Sequence, residues 1–301
     1  MSDYHIPVML DESVGGLGID SAKKQVFVDL TYGGGSHTKR ILELVGTKSK
    51  VYSFDQDDDA FENELPDSRL ELVCSNYRYF HKFLRVYGDD QVDGVLADLG
   101  VSSYQFDQEG RGFSYRSDQS LDMRMNQNQA FTAEDVLRSY DEGQLVQIFS
   151  SYGEIRNSKQ LARQIIECRQ KRSLRSSYDL MSCIDAVVLG NKMKYYAQVF
   201  QALRIEVNDE VESLKEMLDN VWGVLKVGGF LSVISYHSLE DRLVKNLMKT
   251  GNSNGEISRD VYGNFEKKFE EVVKGVILPG ADEVRRNSRA RSAKLRIARK
   301  I

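Results

Sequence analysis

The sequence predicts an α/β fold, a parallel sheet with helices on both faces, interrupted by an inserted all-helical domain. Three observations predict it. Apolar runs at 25–30, 51–55, 70–74 and 92–98 alternate with segments of helical spacing, the rhythm of a parallel sheet. Three of those runs end in an acid (Asp29, Asp55 and Asp98), and the first is followed by the glycine turn Gly33-Gly34-Gly35. From Thr132 to about Ala202 the helical segments follow one another with no strand between them, after which the strand–helix pattern resumes.

Taken in order, His5 to Glu12 is a short apolar run that turns acidic, either a cover over a site or a packed arm. Gln25–Leu30 is the first strand. The chain then turns through the glycines into a helix that opens at Ser36 and His37 and carries Ile41, Leu42 and Val45 at helical spacing. Val51–Asp55 is the second strand, and Asp57–Leu65 a helix ended by Pro66. Leu70–Cys74 is the third strand, Phe80–Tyr87 a helix and Val92–Asp98 the fourth strand. Gln105–Asn128, rich in Gly, Ser, Arg, Asp and Gln, has no period. Thr132 with Asp135 starts the insertion's helices with a capping-box pattern. Lys159–Arg172 carries Leu161, Ile165 and Cys168 on one face, and Tyr178–Val188 and Tyr195–Leu203 continue the block. Asp209–Val224 is an amphipathic helix, Gly228-Gly229 a turn, Phe230–Tyr236 the fifth strand and Leu239–Lys249 a helix. Gly251–Gly263 reads as a polar surface loop, with Val272–Ile277 and Lys294–Ala298 as a closing pair of strands. The domains expected are 1–104 with 204–301, discontinuous, and 105–203 as the insertion.

The chain has 301 residues, enough for one large domain or two smaller ones. Cys74, Cys168 and Cys183 are scattered and odd in number, which suits a reducing cytoplasm rather than a disulfide framework. There is no signal-peptide pattern and no apolar run that spans a bilayer, so the expectation is a cytoplasmic protein with no membrane contact. The four histidines lie far apart, with no cysteine at ligand spacing, so no metal is expected. The net charge of −4 hides an asymmetry. Residues 285–301 hold eight of the 41 basic residues and none of the 45 acidic ones, which leaves the rest of the chain at −12. A basic end on an acidic body points to local contact with a polyanion.

The strand-end acids select the cofactor. Ligands of open parallel sheets sit beyond the carboxyl ends of the strands, and an acid after the second strand accepts hydrogen bonds from a ribose diol. A dinucleotide would bring its pyrophosphate against Asp29 and Asp98, a poor anion pocket. S-adenosylmethionine has a ribose and cationic sulfonium and ammonium groups but no phosphate, so carboxylates attract it.

Longer stretches are more specific. His5-x-Pro-Val-x-Leu-x-Glu12, Asp29-x-Thr-x-Gly-x-Gly35 with His37, Asp55-x-Asp57, Asp98-Leu-Gly-Val-Ser-Ser103-x-Gln105, Arg111-Gly-Phe-Ser114 and Leu121-Asp-Met-Arg-Met125 occur in that order. Tyr152-Gly-Glu154, Phe200-Gln-Ala-Leu-Arg-Ile205 with Asn208, Ser235-Tyr-His-Ser-Leu-Glu-Asp-Arg242 and Asn287-Ser-Arg-Ala-Arg-Ser-Ala-Lys-Leu-Arg296 follow. Through them the chain resembles the RsmH (MraW) family of ribosomal RNA methyltransferases. It departs from the family pattern at Ser36, where Gly is usual, at Tyr77 for Phe and at Ser288 for Pro. The resemblance implies a class I, Rossmann-like methyltransferase sheet with a helical insertion. It also implies methyl transfer from S-adenosylmethionine to the exocyclic N4 of a cytidine in the decoding region of 16S rRNA. Its partner is then the small ribosomal subunit, recognised through the insertion, by a monomer or a homodimer.

By the same resemblance Gly33, Gly34, Gly35, Ser36, His37, Asp55, Tyr77, Asp98 and Gln105 hold the cofactor, with Tyr77 as an aromatic face for adenine. A cytosine amine is a poor nucleophile and must be aligned, with its protons accepted as hydrogen bonds. Asp98, Ser102 and Ser103 are the candidate acceptors, and His237 a second candidate for substrate contact or proton removal. Tyr104, Phe113 and Tyr236 are candidates to stack an extruded base. Arg163, Arg169, Lys171, Arg172 and the C-terminal run are candidates for phosphate contact. Several also have a plain structural reading: packing for the aromatics, capping for His37 and the strand-end aspartates, a hydrogen-bonded structural role for His237, a solvated face for the cations. Two rival functions share the sheet, a non-catalytic RNA-binding or ribosome assembly factor and a nicotinamide-dependent oxidoreductase.

Overall fold

Hydrogen bonding follows the strand–helix alternation closely. The structure, a computed structural model, describes residues 7–108, 110–257, 259, 262–263 and 265–301. The chain forms two units, 1–100 with 211–301, and 101–210. In chain order the first unit supplies α1 (Leu10–Gly15), β1 (Val26–Asp29), α2 (Ser36–Leu44), β2 (Lys50–Asp55), β3 (Leu70–Cys74), α3 (Phe80–Tyr87) and β4 (Val92–Asp98). The second supplies α4 (Ser103–Asp107), α5 (Ala133–Ser139), α6 (Glu142–Ser151), α7 (Ser158–Lys171), α8 (Ser177–Ile184) and α9 (Lys192–Asn208). The chain then returns through α10 (Glu210–Val224), β5 (Leu225–Ser235), α11 (Ser238–Thr250), β6 (Phe269–Glu271), α12 (Ala281–Arg286) and β7 (Lys294–Lys300).

All seven strands form one sheet in the order β3-β2-β1-β4-β5-β7-β6. β1 to β5 are parallel, and β7 runs antiparallel between β5 and β6. Alternation along the strands sends side chains to two faces. Val26, Val28, Tyr52, Phe54, Val95 and Val233 pack with Phe80 and Leu84 of α3, Leu218 and Val221 of α10 and Leu247 of α11. Phe27, Val51 and Leu96 point the other way, onto Val14, Leu17, Ile41 and Leu42 around α1 and α2. Fully burying each such side chain contributes roughly 1.5–3 kcal/mol, so the two layers hold the strand ends in fixed register. This is the expected class I, Rossmann-like sheet. No helix among the described residues is long and apolar enough to cross a membrane.

Two expectations change. The run 272–277 is not a strand. Its backbone pairs with that of β7 at its ends, through Val272 N–H to Ile297 O and a two-way bridge between Ile277 and Leu295, while the Arg296 guanidinium reaches Gly275 O and Val273 and Val276 are exposed. The strand that pairs with β7 is Phe269–Glu271, anchored by the fully buried Phe269. The cysteines are not all unpaired either. Packing of α8 on α7 brings the Cα atoms of Cys168 and Cys183 to 6.0 Å, and the two form a disulfide, leaving Cys74 free and exposed.

The second unit has its own core, built on Phe149, Leu161, Ile165, Leu180, Val199 and Leu203. Its helices start as their sequences dictate, with capping boxes at Thr132/Asp135, Asp141/Gln144 and Ser176/Asp179. Several of the long motifs serve this scaffold. Asn208 accepts from Met125 N–H and donates to Met123 O, Arg111 donates to the carbonyls of Arg124 and Met125, and Arg204 forms a bidentate ion pair with Glu210.

Candidate active site

The parallel pairing of β1 with β2 and β4 lines up the carboxyl ends of these strands, so Asp29, Asp55 and Asp98 all lie at one edge of the sheet. The glycine turn leaves β1 there. Gly33 and Gly35 have φ of 51° and 75°, the left-handed region that suits glycine. A Cβ on Gly35 would lie 2.8 Å from the Tyr32 hydroxyl, so a larger residue would push the turn away from the sheet. Gly34 between them is exposed, and Ser36 opens α2 half-buried.

Asp29 is sealed beneath the turn. Its carboxylate accepts from Thr31 N–H at 3.1 Å and from the Thr38 hydroxyl at 2.7 Å, and Thr38 is in turn 2.7 Å from the Ser53 hydroxyl. It has no exposed surface, and burial pushes its pKa up to about 6 against the pull of His37. Asp29 therefore shapes the turn and does not meet a ligand. Thr31 ties the same corner to β4, accepting from Asp98 N–H at 2.7 Å.

Asp55 is partly exposed. Its two oxygens accept from Gly33 N–H at 2.8 Å and from Asp57 N–H at 3.0 Å, so the carboxylate braces the glycine turn and leaves lone pairs for a diol. Burial raises its pKa to about 6, with the backbone donors opposing. β3 pairs with β2 so that Cys74 stands opposite Asp55, and Tyr77 follows it in a turn capped by Asn76. Asn76 is itself held to Gln56 and Ser213, which places the half-buried Tyr77 ring beside the same strand ends.

Asp98 ends β4 with its side chain mostly buried. One carboxylate oxygen accepts from the Tyr236 hydroxyl at 2.7 Å, and the other lies 3.9 Å from His37 Nδ1. His37 Nε2 is 3.2 Å from Val8 O, which pins the N-terminal arm to α2, and burial holds the imidazole toward its neutral form. The arm is thus packed in place: Val8 and Met9 are buried against Ile234, Leu295 and Ile297, and Met9 N–H donates to Glu283. His5 lies outside the described residues. His237 caps the start of α11, and its Nε2 is 3.1 Å from Glu240.

Carboxylates at Asp55 and Asp98, a glycine turn and a histidine held toward neutrality suit a cofactor with hydroxyl donors and cationic groups. This donor set fits S-adenosylmethionine and disfavours a pyrophosphate.

Other sequence-marked residues belong to the second unit. Ser102 and Gln105 form a reciprocal cap on α4: Ser102 Oγ accepts from Gln105 N–H, and the Gln105 amide oxygen accepts from Ser102 N–H. Ser103 is the first residue of that helix, and Tyr104 is half-buried. Phe113 is buried in the unit's core, edge-on to Phe106 with the Arg111 guanidinium over its ring, so it does not offer a face for a base. Arg169 donates to the carbonyls of Leu137 and Tyr140 at the end of α5, Arg172 to Asp179 O and Ser182, and Arg163 pairs with Glu142.

The C-terminal basic run divides in the same way. Arg296 is buried against Asp241, and the Lys300 ammonium donates to the carbonyls of Trp222 and Leu225 over the Trp222 ring. Lys294 also reaches Asp241, and Arg299 pairs with Glu270. Arg296 and Lys300, expected among the phosphate contacts, are buried structural groups instead, while Lys294 and Arg299 form partly exposed ion pairs. Arg285, Arg286, Arg289 and Arg291, on α12 and the turn after it, stay exposed.

Sequence reasoning gave no role to Thr31, Thr38, Ser53 or Glu240. The signal for Glu240 was present, since it stands three residues after His237, the spacing of a capping box. Contact between β1, β2 and α2 side chains had no such local mark.

Residues 2–301 match a family model described as the MraW methylase family. A protein of Christiangramia forsetii named ribosomal RNA small subunit methyltransferase H is 48% identical over 100% of this chain and 99% of its own length. One of the same name from Phocaeicola vulgatus is 50% identical over 99% of this chain and 97% of its own length. A solved structure described as an rRNA methylase from Streptococcus thermophilus covers 97% of this chain and 93% of that one, at 13% identity and a TM-score of 0.42. That likeness is too distant to add to the argument.

Proposed function

The chain belongs to the MraW methylase family, and from that premise we propose that it methylates the exocyclic N4 of a cytidine in the decoding region of 16S rRNA, with S-adenosylmethionine as donor. The observation that carries this reading is Asp98 at the end of β4, its carboxylate held by the Tyr236 hydroxyl and its N–H by the Thr31 hydroxyl. The names of the relatives support the RNA substrate.

When bound, S-adenosylmethionine supplies an electrophilic methyl group on a sulfonium. Asp55 holds its ribose hydroxyls, Gly33, Gly34, Gly35 and Ser36 line its path past the backbone, and Tyr77 offers a face to adenine. His37 fixes the wall on the Asp98 side. Asp98 accepts a hydrogen bond from the cytosine amine and so directs the nitrogen lone pair as the nitrogen becomes tetrahedral. His237, whose Nε2 stands 3.1 Å from Glu240, is the second candidate to receive the proton. The second unit, with Lys171, and the exposed arginines 285, 286, 289 and 291 supply contacts to RNA phosphates.

The test is methyl transfer from labelled S-adenosylmethionine to 30S subunits and to naked 16S rRNA, followed by nuclease digestion and mass spectrometry. The expected product is N4-methylcytidine at one position. Retained RNA binding with no methylated nucleoside would instead make the protein a non-catalytic assembly factor.

A further inference from the structure

We propose that Tyr236 is a positioning residue for methyl transfer: its hydroxyl holds the Asp98 carboxylate in the orientation that receives the substrate amine. The inference rests on the role given to Asp98 above and assigns Tyr236 a function other than stacking on a base. The phenol donates to one Asp98 oxygen at 2.7 Å. Asp98 N–H is fixed separately by the Thr31 hydroxyl at 2.7 Å, so backbone and carboxylate are held from the two segments that follow β1 and β5. The ring cannot drift. It packs against the cluster of Val8, Ile234 and Leu295, and it lies along Gly100, where an added Cβ would meet its edge at 3.6 Å.

The backbone that carries Tyr236 is fixed in turn. Buried Glu240 accepts from Tyr236 N–H at 2.8 Å and stands 3.1 Å from His237 Nε2, which braces the turn from β5 into α11. Burial and the neighbouring carboxylates of Asp98, Glu240 and Glu283 keep the phenol far above its ordinary pKa, so it remains a donor at every working pH. A carboxylate that kept its rotational freedom would spend part of its time turned away from the amine, and small losses of alignment are costly in rate. Tyr236 removes that freedom without touching either reactant.

The test is Tyr236→Phe, which removes the hydroxyl and keeps the ring, read by steady-state methylation of 30S subunits and by calorimetry with S-adenosylmethionine. The expected result is a kcat about tenfold lower, with KM for the subunit and Kd for the cofactor within about twofold of wild type. A thermal midpoint close to wild type shows that the fold is intact, and Tyr236→Ala, which also loses the ring packing, adds a loss of stability. An unchanged kcat in Tyr236→Phe would overturn the inference, as would a matching loss of cofactor affinity, which would make Tyr236 a cofactor contact. A wild-type protein that transfers no methyl group would overturn the proposed function itself; an active wild type with an equally active Tyr236→Phe would overturn the positioning role alone.

Discussion

Asp29 and Asp55 end neighbouring strands, yet only Asp55 can meet a ligand. That difference yields opposite tests. Asp55 must be ionised to accept two ribose hydroxyls, and its pKa is raised to about 6. Affinity for S-adenosylmethionine is therefore expected to rise with pH through about 6 and then level off. Asp55→Asn lowers the affinity by about tenfold or more and flattens this dependence, since a charge-assisted bond is worth about 1.5–3 kcal/mol. Calorimetry across that range decides; a wild-type affinity that ignores pH would remove Asp55 from the cofactor site. For Asp29 burial lifts the folded pKa to about 6, above the ordinary carboxylate range. The folded state keeps its proton after the unfolded chain has lost it, so this residue's contribution to stability falls as pH rises across that window. Asp29→Asn is expected to gain on wild type by roughly 1–3 kcal/mol between about pH 4 and pH 7, measured by denaturant unfolding. A gap that does not change with pH would show that Asp29 titrates as an ordinary carboxylate.

At the scale of elements, local signals read well and long-range ones did not. β3, α3 and β4 run as their apolar patterns predict, because each is a short segment whose period is its own. The strand character of 294–298 was visible in the alternation of Leu295 and Ile297 with charged neighbours. Which of those charges would be buried was not, because Asp241 on α11 and the Trp222 and Leu225 carbonyls come from distant parts of the chain. Likewise 272–277 has the composition of a strand, but its backbone pairs with that of β7 only at Val272 and Ile277. The Cys168–Cys183 pair depends on helix packing that spacing alone does not reveal. Lys300→Met tests the reassignment of the basic run. Removing the ammonium leaves two buried carbonyls without their donor and is expected to lower stability by about 2 kcal/mol, with RNA affinity per folded molecule unchanged. Weaker RNA binding at full stability would return Lys300 to the phosphate contacts.

At the scale of the whole molecule, charge is unevenly shared. The first unit pairs an acidic strand-end edge with exposed arginines on α12 and the following turn. Changing Arg285, Arg286, Arg289 and Arg291 together to Gln is expected to reduce the slope of log affinity against log salt for 16S rRNA by about 3, since each lost phosphate contact is worth about 0.7–0.9. Cofactor affinity should stay within about twofold. An unchanged salt slope would move the RNA contacts elsewhere. The acidic site was open to sequence reading because a carboxylate at the end of a parallel strand has a position that topology dictates. The rhythm of the sequence changes near residues 105 and 204, and the two units of the structure meet in the chain near 101 and 210.

The order of the strands bears on synthesis. β7 is the last of the seven to be made, yet it lies inside the sheet, between β5 and β6. As the chain emerges from the ribosome, β5 therefore waits with one open side through the whole making of α11, β6 and α12. A message cut short before Lys294 would not trim an edge; it would strand β6 without a neighbour and leave an apolar seam along Phe230, Leu231, Val233 and Ile234. Such products are candidates for chaperone capture and degradation, so at this end of the gene a nonsense mutation costs the protein as much as one far upstream.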